Sequence, residues 1–126
     1  MKKEFVIHIH TGYGPTHYDL MLDRGGSLAT WQLASSPVAL EQNDKLRAKK
    51  LKDHRVQYLK YEGPVSKGRG QVTMLDKGTY ELLLQSDRRW EIELHGQRVQ
   101  GKFALERGEE TSRGWQLTRL SPHQSL

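Results

Sequence analysis

Three histidines and an aspartate crowd the start of the chain: His8 and His10 in Phe5-Val6-Ile7-His8-Ile9-His10, then His17 and Asp19 in His17-Tyr18-Asp19-Leu20-Met21-Leu22. Residues two apart on an extended chain project to the same side, so His17 and Asp19 share one face. A neighbouring imidazole would complete a three-ligand set of N/O character with open positions, which suits Mn²⁺, Fe²⁺ or Zn²⁺. The sequence has no cysteine, which excludes disulfide scaffolds, thiolate nucleophiles, zinc ribbons and iron–sulfur clusters. An isolated His-x-His is common on solvated strands. The argument for chemistry therefore rests on convergence.

Convergence requires a hairpin. Both segments alternate apolar and polar residues, the period of half-buried strands. Between them, Thr11-Gly12-Tyr13-Gly14-Pro15-Thr16 is rich in residues that permit unusual φ or withhold a ladder donor, and it reads as a loop. Pairing Ile9 with Tyr18, Ile7 with Leu20 and Phe5 with Leu22 gives one continuous apolar face. That register sets His10 opposite His17 and His8 opposite Asp19 on the other face. His8 is then a supporting neighbour of the cluster or an alternative ligand.

The remaining sequence predicts more strands: 28–33, 56–61, 71–75, 79–84, 90–94, 98–105 and 115–120. Turn residues separate them at Arg24-Gly25-Gly26, Gly63-Pro64, Asp76-Lys77-Gly78, His95-Gly96 and the polar stretch 107–114. The expected fold is all-β, mainly antiparallel: a compact single-domain β-barrel of about eight or nine strands over residues 1–126, with at most one short helix. That helix would lie in 43–54, capped by Asp44 and carrying Leu46 and Leu51; an irregular basic connection is the alternative. Trp31, Trp90 and Trp115, one per strand, read as core residues rather than base-stacking platforms. His95 reads as part of a turn, His123 as tail, and 121–126 as a fraying end.

The 126 residues carry 20 Lys plus Arg against 15 Asp plus Glu, a formal +5 that favours a polyanionic partner. Residues 44–55 hold six of the basic side chains (Lys45, Arg47, Lys49, Lys50, Lys52, Arg55) against Asp44 and Asp53. This run leads into His54, so its field would draw a nucleic-acid strand toward the proposed cation by salt-sensitive, sequence-blind contacts. Arg47, Lys49, Lys50, Lys52 and Arg55 are the candidate phosphate contacts, joined by Lys67 and Arg69 from a glycine-rich loop. No segment approaches a membrane span and the start lacks the apolar core of a signal peptide. The expectation is a cytoplasmic monomer with no membrane partner.

Phe5-Val6-Ile7 leading to His10, followed by His17-Tyr18-Asp19-Leu20-Met21-Leu22-Asp23, resembles the signature of the 3′-phosphoesterase domain of bacterial DNA ligase D. Similar blocks follow in order: Trp31, Asp53-His54 with Tyr58, Tyr61-Glu62-Gly63, Asp76 to Glu81, Leu94 to Phe103, and Trp115-Gln116-Leu117. Met21 and the Gly63 to Gly70 stretch look more like small stand-alone members. The resemblance implies a compact β-barrel whose Mn²⁺-dependent site, with Zn²⁺ or another divalent cation as alternatives, removes a 3′-phosphate or a terminal 3′-ribonucleotide during end-joining repair. It places metal ligands on His10, His17 and Asp19, a phosphate-contacting or acid histidine on His54, and an active-site tyrosine on Tyr58. The implied partners are nucleic-acid 3′ ends and a separate DNA ligase or polymerase.

Three positions depart from the pattern of the ligase-fused domains. Met21 stands where they carry Arg, Ser35 where they carry Lys, and Lys52 where an acidic residue precedes the histidine; the His10-to-His17 spacing is one residue longer. These departures keep a second reading open, a nucleic-acid-binding module of the same fold with impaired catalysis. A third, a cupin-like small-molecule metalloenzyme using His8 and His10, fits less well, because no Glu follows at the needed spacing.

Overall fold

The computed structural model describes residues 3–108 and 114–122. Nine strands form one antiparallel sheet: β1 (Lys3–Thr11), β2 (His17–Asp23), β3 (Ser27–Leu33), β4 (Lys45–Arg55), β5 (Gly63–Pro64), β6 (Gln71–Gln85), β7 (Arg89–Gly96), β8 (Gln100–Arg107) and β9 (Gly114–Arg119). Their order is β1-β2-β3-β4-β9-β8-β7-β6-β5, and a further β1–β6 pairing closes the first eight into a barrel with β5 outside. Closure removes the free edges that a strand of this sheet would otherwise present. Among the described residues no helix is long and apolar enough to cross a membrane.

Alternation decides what fills the barrel. Phe5 and Ile7, Leu20 and Leu22, Trp31 and Leu33, Ile92 and Leu94, Phe103 and Leu105 all turn inward and are essentially inaccessible. Each such side chain contributes about 1.5–3 kcal/mol relative to exposure. Trp31 packs edge-on against Trp90 and Trp115, with ring centroids 5.0 and 5.7 Å apart, as expected of core tryptophans. A second, smaller apolar cluster lies on the outer wall: Val6, Met21, Leu28 and Leu59, with Tyr58 and Met74 against it. The partners Val6 and Met21 belong to the face that also carries the histidines. Burying that patch draws the segment after β4 across the wall.

Five expectations for individual segments need correction. The stretch 43–54 is neither helix nor irregular connection but most of β4, paired with β3 on one side and β9 on the other. Its alternation is masked because Lys and Arg occupy the solvent side, while Leu46 and Ala48 supply a thin inward face. The stretch 56–61, expected as a strand, begins with a 3₁₀ turn over Val56–Leu59. Tyr58 and Leu59 are adjacent yet both pack on the wall, which an extended chain cannot arrange.

Asp76-Lys77-Gly78 is not a turn but the middle of β6, merging two expected strands. The buried Asp76 carboxylate accepts hydrogen bonds from the backbone N–H groups of Gln97, Arg98 and Val99 at 2.8–3.0 Å and so fastens the β7–β8 turn. Gly78 is there because any Cβ would collide with the His95 carbonyl oxygen. Gly63-Pro64 forms β5, and His95-Gly96 ends β7 with the turn following it. The expected turn at 107–114 falls largely, and His123 with the rest of the tail entirely, outside the described residues.

Candidate metal and phosphate site

The first hairpin pairs His10 with His17, His8 with Asp19 and Val6 with Met21, the register that burial of the opposite face demands. The two rings of His10 and His17 lie 4.6 Å apart. His10 Nε2 is 2.7 Å from the Arg69 carbonyl oxygen, so that nitrogen carries the proton and donates, leaving Nδ1 as a lone pair. His17 Nδ1 donates to the Pro15 carbonyl at 3.1 Å, leaving Nε2 free. The free nitrogens then face one carboxylate: His10 Nδ1 is 3.9 Å from Asp19 Oδ2, and His17 Nε2 is 3.9 Å from Asp19 Oδ1.

Those gaps are too long for hydrogen bonds. They fall within the roughly 4.0–4.4 Å that is the most by which two donors, each about 2.0–2.2 Å from a shared ion, can be separated. The ligand atoms of the three residues all lie within 4.8 Å of one another. Asp19 Oδ1 is buried without a hydrogen-bond partner, an arrangement that costs free energy unless a cation supplies the missing charge. Burial pushes the Asp19 carboxyl above the usual range, against the downward pull of His17, His54 and His10. Backbone carbonyls that fix each imidazole are the outer support a metal histidine ordinarily has. The donor set fits a divalent cation.

His8 lies behind this group and is not one of the three. It is 1% exposed, its Nε2 has no partner, and burial drives its pKa down to about 4 despite a backbone hydrogen bond with Tyr61. It is therefore a neutral ring beside the Asp19 carboxylate. A second trio, Glu81, Glu93 and His95, also brings its ligand atoms within 4.8 Å of one another. It is half-exposed on the β6–β7 wall, and His95 Nε2 already engages Glu81 at 3.2 Å.

A cleft of about 310 Å³ opens over His10 and Asp19, two of the three ligands, with His17 beyond its lining; Lys52, His54, Tyr58, Arg69 and the buried His8 also line it. β4 delivers His54, and the 3₁₀ turn folds Tyr58 back toward it, with ring centroids 6.0 Å apart and near perpendicular. His54 Nδ1 donates to the Lys52 carbonyl at 2.9 Å, which turns Nε2 out as the available nitrogen. Tyr58 in turn meets Tyr61 edge-on at 5.7 Å, and Tyr61 donates its hydroxyl to the Pro64 carbonyl. Met21 and Val72 form apolar lining.

The candidate phosphate contacts divide. Lys52 and Arg69 line the cleft, although the Arg69 guanidinium is also tied to Ser66 at 2.9 and 3.1 Å. Lys49 lies on the outer wall in a row with His8, Asp19 and Gln32, each facing the next across neighbouring strands. Two strand spacings put it about 10 Å from Asp19. Arg47 continues that exposed face, while Arg55 and Lys67 are exposed outside the cleft lining. Lys50 is diverted: its ammonium lies 4.9 Å over the Trp31 ring, donates to the Leu51 carbonyl and sits 3.7 Å from Asp53. Its burial lowers its pKa, and these partners occupy the groups a phosphate would need. Sequence reasoning missed Tyr13, Val65 and Val72 in the lining and gave Asp53 no role. The glycines flanking Tyr13 were the signal for the first of these.

A family model described as the DNA Ligase D 3′-phosphoesterase domain matches residues 8–107, a span containing every one of these side chains. The chain belongs to that family. Among its relatives is the multifunctional non-homologous end joining protein LigD of Mycobacterium bovis, 34% identical over 110 residues, covering 80% of this chain and 14% of the relative. The LigD protein of Mycolicibacterium smegmatis is 32% identical over 116 residues, covering 81% of this chain and 15% of the relative. This 3′-phosphoesterase-family chain thus spans about one-seventh of the length of the LigD proteins it matches.

Proposed function

We propose that this chain is a metal-dependent phosphoesterase that processes 3′ ends of DNA or mixed DNA/RNA strands, removing a terminal 3′-phosphate or 3′-ribonucleotide in DNA repair. The observation that carries the reading is the convergence of two free imidazole nitrogens on the Asp19 carboxylate, whose Oδ1 has no hydrogen-bond partner, beside the cleft that holds His54 and Tyr58. Family membership and the names of the LigD relatives, which are multifunctional end-joining proteins, support it.

His10 Nδ1, His17 Nε2 and Asp19 would hold the cation, with Mn²⁺ the proposed metal and Zn²⁺ or another divalent ion the alternatives. When bound, such an ion offsets charge on non-bridging phosphate oxygens and makes a coordinated water more acidic. The protein's own part is orientation and charge. His54 Nε2 is placed to donate to a phosphate or leaving oxygen, and the Tyr58 hydroxyl to hold the phosphate or water in line. Lys52 and Arg69 add positive charge at the rim, while Met21 and Val72 limit water on the floor. The 3′-hydroxyl left behind is what a DNA ligase or polymerase requires, and one of these is the proposed partner.

The test is turnover of 3′-phosphate and 3′-ribonucleotide primer-templates by purified protein with Mn²⁺. His17→Ala and Asp19→Ala should each abolish it, and wild-type activity in both variants would overturn the reading. One observation favours a second reading, a nucleic-acid-binding module without turnover: Met21 is 1% exposed in the apolar patch and supplies no cation to the cleft. Salt-dependent binding of DNA with no metal-dependent product would select that alternative.

A further inference from the structure

Tyr13 is the most exposed large hydrophobic side chain among the described residues, at 56%, yet it stands at the mouth of the cleft rather than on open surface. An aromatic ring in that position needs a reason, because leaving it in water forgoes the stabilisation that burial would give. One of its faces is accounted for. It stacks on His10 with ring centroids 6.4 Å apart and planes inclined by 19°. More than half of the side chain is left to solvent.

The loop that carries it is shaped rather than slack. Gly12 and Gly14 on either side both adopt positive φ, at 80° and 70°, conformations that L side chains rarely take. Gly70 lies so close beneath that a Cβ there would collide with the Thr11 carbonyl oxygen, and a Cβ on Gly12 would come within 3.3 Å of the Gly70 Cα. The 65–70 loop is bonded in turn to His10 through the Arg69 carbonyl. Two loops therefore brace each other and fix where the Tyr13 ring projects.

We infer that Tyr13 is a stacking platform for the base of the terminal nucleotide, the one esterified to the phosphate being processed. This rests on the 3′-end reading of the same site. A phosphate held near His10, His17 and Asp19 puts its own nucleoside about one sugar's length away; of the tyrosines lining the cleft, Tyr58 is engaged edge-on by His54 and Tyr61, whereas Tyr13 stacks on the proposed ligand His10 and is more than half exposed. Such stacking accepts any base, because every base has a π-face, and it favours a nucleoside over a phosphate ester without one. The substrate class is thereby narrowed to ends that retain a terminal base. Tyr13 acts in binding and orientation, and touches none of the reacting atoms.

The test uses full-length protein, Mn²⁺ and 3′-phosphate primer-templates carrying 2-aminopurine as the terminal base, whose fluorescence falls when an aromatic ring stacks on it. Wild type and Tyr13→Phe should quench it on binding, and Tyr13→Ala should not. With an ordinary terminal base, Tyr13→Ala should raise KM about 5- to 150-fold, the stacking contribution of ~1–3 kcal/mol expressed as affinity, with the loss falling on KM more than on kcat. With an abasic terminal residue the variant and wild type should differ little. Equal quenching by wild type and Tyr13→Ala, or equal loss on abasic and normal ends, would overturn the inference while metal-dependent turnover stood. Tyr13-dependent quenching without turnover would support the platform and overturn the catalytic reading. Wild type that neither binds nor quenches the probe would overturn both.

Discussion

The two halves of the cleft are built in opposite ways. His10, His17 and Asp19 stand on a paired hairpin whose other face is sealed in the barrel, and carbonyls of Arg69 and Pro15 fix both rings. His54 and Tyr58 stand at the end of β4 and on a single 3₁₀ turn with no side-chain cap, held to the wall through Leu59 and Tyr58 in the small apolar cluster and through the pairing of His54 with Leu28. The first half is positioned by the core, the second by a small satellite patch. A site of this kind can keep its cation-binding geometry while its phosphate-facing half is adjusted by changes far cheaper than any in the barrel.

The largest expected effect separates the halves at the ion. Asp19→Ala should lower kcat/KM at least about 10³-fold, since an interaction made with the transition-state charge is lost. It should also erase the rise in Tm on adding Mn²⁺. In wild type that rise should correspond to about 2.7 kcal/mol at a hundredfold excess over Kd and disappear with chelator. Next comes His54→Ala, which should cost about 10²–10³-fold in kcat yet leave the Mn²⁺-induced Tm rise intact. If that rise were lost as well, the division into two independently held halves would be wrong.

Leu59→Ala should cost about 2 kcal/mol in urea unfolding and reduce kcat by loosening Tyr58, with metal affinity preserved. An unchanged kcat would show that the turn is held by contacts other than the patch. The last effect, absent near neutral pH, probes the hairpin's far end, where the buried Tyr80 hydroxyl donates to the Asp23 carbonyl at 2.6 Å. Burial first, and the Asp23 charge second, raise its pKa from 10.0 to about 12. Because the folded value lies above the unfolded one, its contribution is intact below pH 10 and fades as pH climbs through 12. That contribution is at most about 2–3 kcal/mol, and Tyr80→Phe should flatten the alkaline slope of stability.

The same contrast explains what could be read from the residues alone. The hairpin was legible because one face is apolar and the other is not, so a slip of one residue would bury the imidazoles and expose Phe5, Ile7, Leu20 and Leu22. The barrel followed from such alternation repeated along the chain. β4 was not legible, because its backbone is paired on both sides while its solvent face is charged and Ala48 is a small inward residue. Its placement is a requirement of closure, which no local pattern expresses. Asp76-Lys77-Gly78 carries turn chemistry in its residue types, but the carboxylate serves a turn formed by 97–99, and the glycine makes room for a neighbouring strand. Lys50 looked like one of several equivalent cations until the Trp31 ring and Asp53 claimed it. Which basic side chains remain available is a tertiary fact.

The ligands lie on the outside of the closed sheet, with the barrel interior filled by tryptophans and aliphatic side chains. A polymer therefore has nothing to thread. On the proposed function, a blunt or bulky terminus would abut the wall sideways, leaving the remainder of the double helix in solvent and open to other enzymes.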